Sequence, residues 1–189
     1  MRPKEFNRNN VLEKCILLFW REGFNGTGIQ KIVDRTGVNR YSLYNEFGNK
    51  DGILLASLEL YIDRYIPWNL LSKPDSAEDI LFQFYTSFFR KSEMSKHPIG
   101  CYISTMALEF RGANLMQVFF NSYLDRLKDK FFQLLQTKSN LNQDEAKLVS
   151  EQLTLFYCTS MGMYVIFTLP ETEKYIRDNL TLITKCLSK

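Results

Sequence analysis

Arg40, Tyr41, Ser42, Tyr44 and Asn45 gather a guanidinium, two phenols, a hydroxyl and a carboxamide within six positions. All five groups donate hydrogen bonds to anionic or carbonyl-type oxygens, the chemistry of phosphate and base-edge contact. Leu43 and Phe47 keep helical spacing and turn inward, leaving the polar groups on the outer side. A solvated helix face of this length usually carries Glu and Lys pairs. Here Glu46 is the only acid. The face alone is compatible with either a nucleic-acid contact or an ordinary polar surface.

The elements that must hold this face lie in Gly28–Phe47. Ile29, Ile32 and Val33 mark a second helix at about Gly28–Thr36, and Val38, Leu43 and Phe47 mark a third at about Asn39–Phe47. Asn39 is placed to cap the third. Gly37 lies between them, where a steep helix crossing needs a positive φ that glycine takes without a Cβ clash. Val33 and Leu43 are expected to meet in the crevice. Ahead of this pair, Val11, Leu12, Cys15, Ile16 and Phe19 predict a first helix at Arg8–Glu22, ended by Gly23 with Phe24 tucking back as a plug. Arg2, Lys4 and Arg8 form a basic arm, of a kind that is usually disordered.

The stretch Gly23-Phe-Asn-Gly26-Thr-Gly28 is glycine-rich but fits neither G-x-x-x-x-G-K-S/T nor G-x-G-x-x-G, and no strand precedes it. It reads as a turn followed by a capping box, Thr27 capping the second helix and Gln30 reaching back. The N–H groups at that helix start make Thr27 and Gly28 candidates to hold a phosphate. A fourth helix starts at Asn49-Lys50-Asp51, carries Leu54, Leu58, Tyr61 and Tyr65, and ends near Pro67.

Charge follows this division. Residues 1–50 hold nine Lys/Arg against five Asp/Glu, a surplus of four, whereas residues 51–189 hold 15 against 16. The surplus sits where phosphates would be met. The four cysteines, Cys15, Cys101, Cys158 and Cys186, form no C-x-x-C, and His97 is the sole imidazole, so neither a metal nor any other cofactor is expected. All but Cys101 fall in apolar helical stripes and read as reduced core thiols of a cytosolic protein. The N-terminus lacks the apolar segment of a signal peptide, and no apolar run is long enough to span a bilayer.

Residues 8–61 resemble the DNA-binding head of the TetR/AcrR family of bacterial transcription regulators. The resemblance is carried by L-F-W-R-E-G-F-N-G-T-G-I-Q-K-I-V-D-R-T-G-V-N-R-Y-S-L-Y-N-E-F-G-N-K, ungapped through three helices into the fourth. Val33, Tyr41 and Glu46 depart from the family's usual residues. The resemblance implies that Thr27, Tyr44 and Lys50 grip phosphates, and that Asn39, Arg40, Tyr41, Ser42 and Asn45 lie in or over the major groove. Arg40 is then the side chain for direct base readout.

The expected fold is all-α, about nine helices in all. A helix-turn-helix head spans 1–67 (helix-turn-helix 28–47), and a helical ligand-binding and dimerisation domain spans 76–189. Further helices are predicted at about Ser76–Met94, Tyr102–Arg111, Leu115–Gln136, from an Asn142/Glu145 cap to Pro170, and Glu171–Leu187. Most aromatic residues there should be core. Tyr85, Phe89, Met106, Phe110, Phe120, Tyr123, Phe156, Tyr157 and Tyr164 could line an apolar pocket. Ile176, Leu180, Ile183 and Leu187, with Leu148, Leu155, Thr159, Gly162, Met163 and Ile166, form stripes suited either to packing within one chain or to a four-helix seam with a second copy. The second option, a homodimer through helices 145–169 and 171–187, resembles the family's interface. Cys101 follows a Pro-Ile-Gly turn at a helix start, where a thiol can react as thiolate, so it is either an electrophile or oxidant sensor or an inert half-buried thiol.

The reading is a homodimeric regulator, a repressor that a small apolar or amphipathic effector releases from near-palindromic operator DNA. An enzyme is disfavoured by the single His and the lack of a nucleophile–base signature. A ligand-free architectural protein using the same head is the third option.

Overall fold

The computed structural model describes residues 6–94, 98, 101–110, 114–163 and 169–185. These residues are helical throughout, with nine α-helices and one 3-10 segment among them. They fall into two compact units. One runs to Ile66 and takes in Thr105–Phe110; the other starts at Pro67, runs to Ser104 and resumes after Phe110.

In the first unit, α1 (Arg8–Glu22) has the bounds its periodicity predicts. Asn7 caps it, the carboxamide oxygen accepting from the Asn10 N–H at 3.0 Å. α1 packs on α4 (Lys50–Tyr65), α2 (Ile29–Thr36) packs on α1, and α3 (Arg40–Phe47) packs on α4. Leu12, Cys15, Phe19, Ile32, Leu43, Ile53, Leu54 and Leu58 have no exposed surface and form the core. Burial pushes the Cys15 thiol up to about 12, which keeps it protonated and inert. Ile32, not Val33, is the fully buried residue of α2. Val33 stays half-buried.

Gly37 takes φ +75° and ψ 10° and donates its N–H to the Val33 carbonyl at 2.8 Å, ending α2 in the left-handed region. A Cβ there would meet nothing within 4 Å. The cost of a side chain is therefore conformational alone. Gly37→Ala is expected to lower stability by about 1 kcal/mol, read as a lower thermal midpoint with an unchanged far-ultraviolet spectrum.

In the second unit, Trp68–Ser72 forms the 3-10 segment. It leads into α5 (Ala77–Met94). α7 (Asn114–Lys138) packs on α8 (Gln143–Met163), and α9 (Leu169–Lys185) packs on α5 and α8. The cap predicted at α8 forms both its bonds: Asn142 N–H to Glu145 Oε2 at 2.9 Å, and Glu145 N–H to Asn142 Oδ1 at 3.0 Å. α6 (Tyr102–Glu109) begins in this unit and ends in the first.

Several expectations change here. Ile176 and Leu180 are buried within the single chain, so α9 turns that stripe toward its own neighbours. Leu148 and Leu155 of α8 and Leu182 of α9 are exposed, as are Val118 of α7 and Leu108 of α6. Gly162, Met163, Ile166 and Leu187 lie outside the residues whose side chains are described, as do Tyr164, Cys186, Arg2 and Lys4. Cys158 is exposed, contrary to its reading as a core thiol.

Tyr85, Phe89, Tyr123, Phe156 and Tyr157 are all buried. Tyr85 stacks on Phe131 and donates its hydroxyl to the Leu153 carbonyl at 2.5 Å. Tyr123 donates to the Tyr157 hydroxyl at 2.9 Å. Burial holds all three phenols well above their ordinary range, so they stay neutral donors. Phe120 is half-buried against Phe119. Met106 and Phe110 belong to the first unit. Two cavities described in the second unit are open and lined by other residues. One, of about 590 Å³, lies among Ser76, Glu78, Lys138, Asn140 and Glu145; the other, of about 500 Å³, among Trp68, Lys130, Gln133 and Thr137. Cys101 is 1% exposed, its sulfur 3.4 Å from the Tyr157 hydroxyl. A reactive thiol needs an approach path, and this one is enclosed, which corrects the sensor expectation.

Candidate nucleic-acid interface

α3 begins where Asn39 caps it, the carboxamide oxygen accepting from the Ser42 N–H at 2.8 Å. That bond fixes the register of the helix. Leu43 is then fully buried, and Arg40, Tyr41 and Asn45 are exposed, with Ser42 and Tyr44 half-buried. Tyr41 is 80% exposed, the most open of the exposed large hydrophobic side chains among the described residues. A phenol so exposed on a helix of about two turns is open to a partner. The Arg40 guanidinium lies 5.1 Å from the Tyr44 ring centroid, a cation–π contact that limits its rotamers. Glu46, the one acid on this stretch, is engaged by Arg8 at 3.1 Å, and Arg8 also lies over Phe47. The exposed pair contributes little stability, but it offsets the carboxylate beside the donor face.

Asn39, Arg40, Tyr41, Ser42, Tyr44 and Asn45 are thus brought together on one short helix, as expected. Gly28 is the N-cap of α2 and makes no side-chain cap bond, so the first-turn N–H groups of α2 carry the positive end of its dipole at an exposed glycine.

Two expected contacts are corrected. Thr27 is fully buried, and its hydroxyl donates to the Gly23 carbonyl at 2.7 Å. It therefore neither caps α2 nor presents a hydroxyl to an anion. Gln30 turns along its own helix to Asp34 instead of reaching back. Lys50 points its ammonium at the Phe24 and Thr27 carbonyls, at 3.0 and 3.1 Å, and sits 4.0 Å from the Phe24 ring centroid. Its charge is used to clasp the α1–α2 turn rather than a phosphate.

One residue of this unit escaped the sequence. The Glu109 carboxylate accepts from the Phe24 N–H at 3.0 Å and from the Asn25 N–H at 3.1 Å. Nothing in the local sequence signals a bond spanning 84 or 85 positions.

Comparison with known proteins agrees with this geometry. Residues 12–57 match the family of bacterial regulatory proteins, tetR family. The chain is 33% identical over 105 residues to the HTH-type transcriptional repressor ComR of Escherichia coli (strain K12), covering 54% of this chain and 50% of that one. It is 30% identical over 113 residues to YezE, an uncharacterized HTH-type transcriptional regulator of Bacillus subtilis (strain 168), covering 57% of each. The chain thus spans about half the length of these curated relatives. Over nearly its whole length it shares the fold of a cysteine mutant of the TetR family transcriptional regulator CifR, solved with 26-bp double-strand operator DNA. The TM-score there is 0.71 and the identity 20%, covering 99% of this chain and 98% of that one. Residues 12–57 thus match the tetR family of bacterial regulatory proteins in sequence, and the chain shares the fold of a solved regulator over nearly its whole length.

Proposed function

We propose that this protein is a repressor that reads a near-palindromic operator as a homodimer and is released by a small apolar or amphipathic effector. The observation that carries the reading is the outer face of α3, where Arg40, the 80% exposed Tyr41 and Asn45 stand together above a fully buried Leu43. A helix of this size fits the major groove, and its donors match base edges and phosphate oxygens. Residues 1–67 act as the DNA head, with the first-turn N–H groups at Gly28 on a phosphate. Residues 76–189 carry effector response and dimerisation.

The dimer follows from what α8 and α9 leave uncovered, Leu148, Leu155 and Leu182, which are 48%, 61% and 61% exposed. A second copy supplies the apolar partner these leucines lack in one chain. Leu155→Glu is expected to convert the protein to a monomer at micromolar concentration, measured by light scattering. A dimer as tight as the parent's would sink this part.

Among the described residues, Tyr85, Phe89, Phe156 and Tyr157 are buried, and Tyr85 packs on Phe156 and Tyr157. An effector acts by opening space among them, and it releases DNA only through a preference for the non-binding state, typically about 1–3 kcal/mol. Selection of bound duplexes from random DNA tests the function. The expected product is an inverted repeat, and a pool with no enriched sequence would overturn the reading. Screening compounds that release the selected duplex then finds the effector.

A further inference from the structure

We propose that Glu109 is a positioning residue for DNA binding: its carboxylate sets the turn that aims the N-terminus of α2, without touching DNA itself. The proposal rests on the DNA reading above. The turn Gly23–Thr27 is held from opposite sides by opposite charges. On the donor side, Glu109 Oε2 takes the Phe24 and Asn25 N–H groups at 3.0 and 3.1 Å, and Oε1 shares the Phe24 N–H at 3.2 Å. On the acceptor side, the Lys50 ammonium takes the Phe24 and Thr27 carbonyls. Phe24 itself is buried, its ring 5.4 Å from Phe19 and 4.9 Å from Phe110, the residue after Glu109. The carboxylate also crowds position 23, where a Cβ would lie 2.7 Å from Glu109 Oε1.

Gly28, the α2 N-cap, follows this turn directly. A small rotation of the turn therefore re-aims the N–H groups that would meet a phosphate, and α3 beyond them. Charge-assisted bonds to backbone N–H are among the strong ones, and both donors lose their partner when the carboxylate is removed. A tie within the turn would serve stability equally well. This one comes from Thr105–Phe110, a segment that is remote in sequence yet belongs to the head unit, so the aim of the head depends on where the end of α6 sits.

The test uses the full chain, the selected operator duplex, and Glu109→Ala and Glu109→Gln variants. Operator affinity is expected to fall about tenfold in Glu109→Ala, with partial recovery in Glu109→Gln, which keeps one acceptor oxygen. The slope of log affinity against log salt should stay at the parent's value, because no Lys or Arg contact to a phosphate is removed. Amide exchange at Phe24 and Asn25 should accelerate while that at Leu54 and Leu58 does not. If Glu109→Ala does not fold, the Gln variant carries the test. Operator affinity within twofold of the parent, or unchanged exchange at Phe24 and Asn25, would overturn the proposal. A parent protein that shows no sequence preference sinks the DNA reading instead, and is recognised before any variant is made.

Discussion

Arg40→Ala is expected to remove sequence discrimination while leaving weak, salt-sensitive attachment to any duplex. A bidentate Arg–guanine contact is worth about 1–3 kcal/mol of discrimination, and the proposed dimer would use it twice, so the expected loss on the operator is about 2–6 kcal/mol. Non-specific binding rests on phosphates and should fall much less. Arg40 is exposed on α3 and makes its cation–π contact with the neighbouring Tyr44, so truncation leaves the core intact. The melting curve should not move. Tyr44→Phe provides the contrast: it keeps the ring beneath Arg40 and deletes the hydroxyl, and should weaken all duplexes alike. The pair is read by anisotropy titration on the operator and on a scrambled duplex. Equal losses on both duplexes for Arg40→Ala would assign Arg40 to the backbone rather than to a base.

Leu43→Ala should have the largest effect on folding. Leu43 has no exposed surface and is the single buried residue of α3. Leu-to-Ala changes at such sites cost about 2–5 kcal/mol, depending on how far the cavity collapses. Whole domains are stable by about 5–15 kcal/mol, so a four-helix head loses a large share of its margin. The expected result is a lower first thermal transition and loss of all duplex binding, specific and non-specific together. Leu43→Met conserves volume and should cost under about 1.5 kcal/mol. A Leu43→Ala protein with the parent's melting curve would mean that α3 is not held through this side chain. The contrast with Arg40→Ala separates the two faces of one eight-residue helix: one loses reading without stability, the other loses both.

What the sequence made legible was local. The bounds of α1, the Asn39 cap and the reciprocal Asn142–Glu145 bonds all depend on residues within three or four positions of each other, and all three form. The family resemblance added the sense of the α3 face. What stayed hidden was set by distant partners. Thr27 has the chemistry of a cap, but the turn around it is clasped by Lys50 and Glu109, which turns its hydroxyl back on Gly23. Periodicity told which side of α9 is apolar, not who covers it, and Ile176 and Leu180 are covered by the same chain. The thiols show the same limit: Cys101 beside a turn is enclosed, and Cys158 within a helix is exposed. Aromatic composition suggested a pocket around Tyr85 and Tyr157, and both rings are buried.

The central claim is that the Asn39–Asn45 face reads base edges, and it is tested most directly by competing the selected inverted-repeat duplex against a scrambled duplex of equal length at physiological salt. The expected preference is about a thousandfold or more for the selected duplex, collapsing toward the non-specific level in Arg40→Ala. Equal affinities for the two duplexes with the parent protein, at physiological and at low salt, would contradict it.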